Sequence, residues 1–238
     1  MSTPEAGDHV GPYELQRELG EGAAGRVFLA EHTILEQPFA IKFLRKRPAQ
    51  HPQFRQRFLR EAKHASQLSH ENLVQVVGAD DSEQGLYLVM EYIEATPLDE
   101  VVDERPLEPR QAACCTLHVL RGLEHAHANG LLHRDVKAAN VLLGEDGQCK
   151  LTDFGLVRIE DHDSHLTSQD AAVGTPFYMS PEQWRNDGVD RRTDVFAAGV
   201  LLYRLLTSRF PFPGDSPISI LDRLKRREHD PLGTLDFP

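Results

Sequence analysis

The residues best suited to chemistry lie in one run, HRDVKAANVLLGEDGQCKLTDFG at 133–155. Within it Asp135 is a candidate proton acceptor, Lys137 a cation, Asn140 a metal-ligating amide and Asp153 a metal-ligating carboxylate. Moving a phosphoryl group off ATP needs a group that orients a hydroxyl, oxygen ligands for Mg²⁺, and cations for the charge developing on the phosphate oxygens. The run supplies each of these.

The elements that must position this run fall into two zones. Residues 13–19, 26–32 and 38–44 have the composition of consecutive short strands, the first two joined by a glycine-rich turn. In HPQFRQRFLREAKHASQL, residues 51–68, Phe54, Phe58, Leu59, Ala62, Ala65 and Leu68 recur at helical spacing, leaving Arg55, Arg57, Arg60 and Lys63 in water. Residues 73–79 and 86–91 add two strands around the turn DDSEQG. After Tyr92 the pattern changes: 109–129 is a long helix ending at Gly130, a suitable C-terminal cap, and 192–207 is a second, mostly apolar helix. The boundary between the zones falls near 92–98.

Composition sets the class. A chain of 238 residues can bury a sizeable core. Its three cysteines form neither a CxxC pair nor a disulfide ladder, so a reducing, cytoplasmic setting is expected. The longest apolar run, 195–206, is interrupted by Tyr203 and Arg204 and is too short for a bilayer, so no membrane segment is expected. A net charge of -11 argues against nucleic acid as a partner, because covering phosphates needs a basic face. His162 and His165 share a polar loop with no convergent ligands, so no zinc is assigned.

Taken alone, LGEGAAGRV at 19–27 is weak, because GxGxxG occurs both in dinucleotide folds and in ordinary hairpins. A dinucleotide fingerprint opens a helix, whereas Arg26, Val27, Phe28, Leu29 and Ala30 have the pattern of a strand. FAIK then follows at 39–42 and places Lys42 where an ammonium can reach phosphates cradled by the glycine loop. Glu61, on the amphipathic helix, is the carboxylate expected to pair with it. The competing reading of Glu61 is an exposed helix glutamate among arginines.

These motifs are joined in order by VMEY, GTPFYMSPE and DVFAAGV, and from about residue 13 to 227 the chain resembles the catalytic domain of eukaryotic-type, bacterial-style serine/threonine protein kinases. The resemblance implies an α+β, bilobal fold: a β-rich N-lobe at 13–91 with one key helix, a hinge at 92–97, and an α-helical C-lobe from 98 to 238, preceded by a flexible tail at 1–12. It also implies ATP and Mg²⁺ as cofactors. The phosphate loop would comprise Leu19, Gly20, Glu21, Gly22, Ala23, Ala24, Gly25 and Arg26. Val27, Ala40 and Leu142 would sandwich the adenine, the backbone of Glu91 to Ile93 would bind its edge, and Met90 would stand as gatekeeper. Lys42, oriented by Glu61, would hold the α- and β-phosphates. Asp153 and Asn140 would ligate Mg²⁺, Asp135 would orient the substrate hydroxyl, and Lys137 would neutralise the transferring group. Lys137 and Thr175 in GTPFY fit serine/threonine specificity, with Thr175 on a protein-substrate platform.

The resemblance further implies that a phosphate on the activation segment could pair with Arg134. Thr167 or Ser168 is the expected site, modified in trans by another copy, and the alternative is that both are solvated hydroxyls. Departures from the family pattern include Ala24 at the loop tip, Ala138 in place of a common proline, and Phe196 in place of a tryptophan. The chain also ends at LGTLDFP without the later helices and the arginine that would pair with Glu182, so the C-lobe is expected to be truncated. That ending keeps open a non-catalytic kinase-like module that binds nucleotide or a partner. A small-molecule kinase is a weaker third reading.

Overall fold

The computed structural model describes residues 3–22, 25–44, 52–154, 176–185 and 187–232. The chain divides into two compact units. The first contains residues 1–70 and 74–93, the second residues 71–73 and 94–155 together with the C-terminal part. Among the described residues no helix is long and apolar enough to cross a membrane.

The first unit is a six-stranded antiparallel sheet. Its strands are β1 (His9–Val10), β2 (Tyr13–Gly22), β3 (Gly25–His32), β4 (Pro38–Leu44), β5 (Val76–Ser82) and β6 (Gly85–Glu91), in the spatial order β1-β2-β3-β4-β6-β5. Side chains alternate between faces along a strand, and on one face Val10, Leu15, Phe28, Ala30, Ile41, Phe43, Tyr87 and Val89 close into a buried cluster. Val10 is only 1% exposed and β1 pairs with β2, because burying that valine offsets the cost of ordering the segment. Helix α1 (Pro52–Ala65) buries Phe54, Phe58, Ala62 and Ala65 along one stripe, and Arg55 pairs with Asp81 of β5 at 2.9 Å.

The second unit is mainly helical. It has a small sheet, β7 (Ala95–Pro97), β8 (Val141–Gly144) and β9 (Cys149–Leu151), and helices α2 (Leu98–Glu104), α3 (Pro109–Ala128), α4 (Pro181–Arg185), α5 (Arg191–Thr207) and α6 (Pro217–Arg226). Gly130 takes φ +75 just beyond α3, the left-handed turn expected of a cap. Asp190 caps α5 by accepting from the Arg192 backbone N–H, and Ser216 and Ser219 form a reciprocal capping box at α6. Helix α5 buries Ala197, Ala198, Val200, Leu201 and Leu205 and packs on α3, as its apolar composition predicts.

Candidate active site

In the first unit, register assembles the expected nucleotide-facing residues. Cross-strand partners lie on the same face of an antiparallel pair. Val27 is opposite Lys42 and Leu29 opposite Ala40 between β3 and β4, and Ala40 is opposite Met90 and Lys42 opposite Leu88 between β4 and β6. Val27, Ala40, Lys42 and Met90 therefore share one face, and Phe28, Ile41, Phe43 and Val89 the other. Lys42 is 7% exposed. A lysine ammonium is held that deep only when its charge is compensated, and the half-buried Glu61 lies in this unit on α1. Glu91 and Ile93 are half-buried at and just after the end of β6.

The glycine-rich turn is not uniform. Gly25 is buried with φ +148, and a Cβ there would fall 1.8 Å from the Phe43 carbonyl oxygen. This glycine is demanded by the protein's own backbone. At Gly20 and Gly22 a Cβ would meet nothing within 4 Å, so the missing side chains leave open space on exposed strand. Leu19 and Glu21 are exposed beside them. Arg26 points elsewhere: its guanidinium pairs with Glu18, donates to the Pro4 carbonyl at 2.8 Å and lies over the Phe28 ring at 4.9 Å. It thus belongs to the face opposite Val27, and only its backbone remains for a phosphate loop. Ala23 and Ala24 lie outside the described residues.

In the second unit the polar run folds onto one buried carboxylate. Asp194, in the first turn of α5, is 1% exposed. It accepts the His133 backbone N–H at 2.9 Å and that of Arg134 at 2.7 Å, and meets His127 Nε2 at 2.7 Å. Arg134 can then take φ +64, a left-handed conformation unusual for a side chain of that size. His133 Nδ1 accepts the Asp135 N–H at 3.2 Å, so Nε2 carries the proton that reaches the Thr152 carbonyl at 2.9 Å. Complete burial holds His133 below the ordinary imidazole value of 6.5, against the opposing pull of Asp194. Its ring packs on Phe154 with centroids 4.9 Å apart.

This scaffold fixes the candidate catalytic groups. Lys137 Nζ lies 2.9 Å from Asp135 Oδ2, and Asn140 Nδ2 donates to the Asp135 carbonyl at 2.8 Å and to its Oδ2 at 3.1 Å. With the amide nitrogen spent on Asp135, the remaining polar atom of the Asn140 side chain is Oδ1, an oxygen donor. The Thr152 N–H donates to the Asn140 carbonyl at 2.9 Å, which ties the loop to the strand leading to Asp153. Asp153 takes φ +62. Among the described residues no group of three or more His, Cys, Asp or Glu side chains is placed to hold a metal ion. One amide oxygen and one carboxylate suit Mg²⁺, which keeps most of its ligands as water and phosphate oxygens, and do not suit an all-protein cage. Leu142 is half-buried on β8.

Three supports were not legible as such in the sequence. Asp194 heads the DVFAAGV motif, which marked its position but not its role as acceptor for the loop at 133–134. Asn72 donates Nδ2 to the Cys149 carbonyl at 3.0 Å and its own carbonyl accepts the Leu151 N–H at 2.9 Å, anchoring β9. The third is the partner of Glu182. Thr193 Oγ1 donates to Glu182 Oε1 at 2.8 Å. Burial pushes that carboxyl up, but hydrogen bonds from its own backbone, Thr193 and Ser180 outweigh it and hold Glu182 below the ordinary value. Thr167, Ser168 and Thr175 lie outside the described residues.

Sequence comparison agrees with this geometry. The protein kinase domain family model matches residues 13–230. A probable serine/threonine-protein kinase of Streptomyces coelicolor is 41% identical over 92% of this chain and 33% of its own length. Serine/threonine-protein kinase PknB of Mycobacterium tuberculosis is 39% identical over 92% of this chain and 36% of its own, and PrkC of Bacillus subtilis 37% identical over 88% and 32%. The chain belongs to the protein kinase domain family. It spans about a third of the length of these curated relatives.

Proposed function

We propose that this chain transfers the γ-phosphoryl group of ATP to serine or threonine hydroxyls of protein substrates. The observation that carries the reading is the Asp135 carboxylate, held by Asn140 and Lys137 on a loop pinned to buried Asp194. A fixed carboxylate is what orients a hydroxyl for in-line attack through a loose transition state, where positioning matters more than basicity.

The other roles follow from side-chain chemistry. Lys42, oriented by Glu61, neutralises the α- and β-phosphates, and the backbone of residues 19–26 approaches them where Gly20 and Gly22 leave space. Val27, Ala40 and Leu142 provide apolar contact for the adenine, with the backbone from Glu91 to Ile93 at its edge and Met90 behind it. Asn140 Oδ1 and the Asp153 carboxylate are the groups that would hold Mg²⁺, which supplies charge neutralisation on the phosphate oxygens when bound. Lys137 serves Asp135 in the resting structure and the transferring phosphoryl group during reaction.

Phosphorylation of Thr167 or Ser168 by a second copy, with the phosphate paired to Arg134, is the proposed activation step. Mass spectrometry of active protein should find one of them modified. Full activity of a protein carrying alanine at both would remove the proposal.

The decisive experiment is transfer of labelled phosphate to protein with Mg²⁺ present. Asp135→Asn should lower the rate about 10²- to 10⁴-fold, the usual worth of a positioned acid–base group, and leave the melting temperature unchanged. Folded wild-type protein that transfers nothing would overturn the reading.

A further inference from the structure

The outer face of the glycine-rich hairpin is tied to the first residues of the sequence. Arg26 divides its guanidinium between two segments: Nε and Nη2 donate to the Glu18 carboxylate at 3.2 and 2.5 Å, and Nη1 donates to the Pro4 carbonyl at 2.8 Å. Pro4 is buried. Beyond it the Glu5 N–H donates to Asp8 Oδ2 at 2.9 Å, which closes a turn. The Gly7 N–H then donates to the Leu15 carbonyl at 2.7 Å, and the Asp8 carbonyl accepts the Leu15 N–H at 2.9 Å. After β1, Gly11 lies against β6, where a Cβ would fall 3.2 Å from the Tyr87 hydroxyl oxygen. Residues 4–11 are thus fastened at both ends. These attachments bracket the irregular part of β2. Its pairing with β3 shifts register between Leu15 and Arg17 and again between Glu18 and Gly20. A register shift interrupts the ladder and lets a strand bend, so pairing with β3 alone does not set the course of β2 through Gly20 and Gly22. The bonds to Leu15 hold β2 at the first shift, and the bridge from Pro4 through Arg26 to Glu18 holds it at the second.

We propose that residues 4–11 are a strap that positions the hairpin for the phosphates of the nucleotide, with Arg26 as the positioning residue that connects the two. The strap lies on the face opposite Val27 and touches no reacting group. It acts by fixing the backbone at Gly20 and Gly22, where the missing side chains leave room for phosphate oxygens. The adenine contacts are independent of it. Val27, Ala40 and Met90 are placed by β3, β4 and β6, whose pairing runs without a register shift through these residues. The strap therefore contributes to binding of the triphosphate and not of the nucleoside. This assignment rests on the reading of residues 19–26 as the phosphate loop.

The test compares ATP with adenosine by titration calorimetry in the presence of Mg²⁺. It uses the 238-residue chain, a deletion of residues 2–6, Arg26→Met and the two combined, each checked for folding by its melting curve. Each single variant should bind ATP about three- to tenfold more weakly, the worth of one hydrogen bond, and adenosine within about twofold of wild type. Amide exchange in the unliganded protein should quicken in β2 and β3 beside the turn and stay unchanged in β4 and β6. In the combined variant the deletion should add nothing to Arg26→Met, because the bond that couples them is already gone. The proposal is overturned if ATP and adenosine weaken together, if either single variant binds ATP as wild type does, if exchange beside the turn is unaltered, or if the two losses multiply. Wild type that binds neither ligand would overturn the nucleotide reading itself and this assignment with it, an outcome that the wild-type titration alone tells apart from the others.

Discussion

Lys42 and Asp135 are both polar groups set against an apolar interior, yet they are held by different means. Lys42 stands on β4, and its neighbours Val27, Ala40 and Met90 are fixed by the register of three regular strands. Asp135 stands on irregular backbone that includes a left-handed Arg134, and its place is fixed by side-chain hydrogen bonds that converge on Asp194 and Asn140. In the sheet each backbone bond is one of many, so the load is spread. In the loop a single buried carboxylate satisfies several donors, so the load is concentrated. The sheet should therefore be most vulnerable where its backbones approach closest, and the loop at individual polar atoms.

The largest expected effect is Asp194→Ala. It leaves the backbone N–H groups of His133 and Arg134 without their acceptor in a buried setting, and each such donor costs roughly 1–3 kcal/mol. Stability measured by denaturant should fall by about 2–5 kcal/mol, with amide exchange rising first at 133–135. Asp194→Asn, which retains an acceptor oxygen, should recover part of it. A loss below about 1 kcal/mol would show that the loop is held in a distributed way, like the sheet.

Next is Gly25→Ala. The new methyl meets the Phe43 carbonyl and the backbone has a φ that non-glycine residues rarely adopt, so a cost of about 2–3 kcal/mol is expected. Exchange should accelerate in β3 and β4 and stay slow around Asp135. Gly22→Ala, with open surroundings, should cost less than about 1 kcal/mol and still lower nucleotide affinity.

A third test is pH. His133 is neutral in the folded chain and its pKa is lowered by burial. Between the lowered folded value and the ordinary value of 6.5 the unfolded chain binds the extra proton, so stability rises with pH there. Stability should be full above that value and should decline as pH falls below it, by at most about 1.4 kcal/mol per pH unit from this residue. His133→Gln should flatten that part of the curve. An unchanged curve would break the assignment of the loop's acid sensitivity to His133.

The smallest effect is Thr193→Val, which removes the hydrogen bond to Glu182. A loss of about 1 kcal/mol is expected, together with a Glu182 carboxyl that titrates closer to its ordinary value by NMR.

Strand and helix positions were legible from the residues because each pattern has a local physical cause. Strand-like composition gave β3 and β4, helical spacing gave α1, and Gly130 gave the end of α3, all within a few residues of what forms. The β1 strand was missed because His9–Val10 is too short to show alternation, and its order comes from pairing with β2 and burial of Val10. The donor to Glu182 went unmarked for a similar reason: Thr193 is a neutral residue eleven positions on that no charge pattern marks.

What the sequence determined by itself is the set of chemical groups. Asp135, Lys137, Asn140, Asp153, Lys42 and the glycines stood out as candidates because a phosphoryl-transfer site needs carboxylate and amide oxygens, cations and a closely approaching backbone, and because their motifs follow the order of the family. What only the tertiary structure decided is which atoms are committed to holding the others. Asn140 spends its nitrogen on Asp135, Arg26 turns to Glu18 and Pro4, Gly25 yields to the Phe43 carbonyl, and Asp194 becomes the anchor of a loop sixty residues away. These assignments depend on contacts between segments far apart in the chain, and such contacts exist only once burial has removed water as the competing partner.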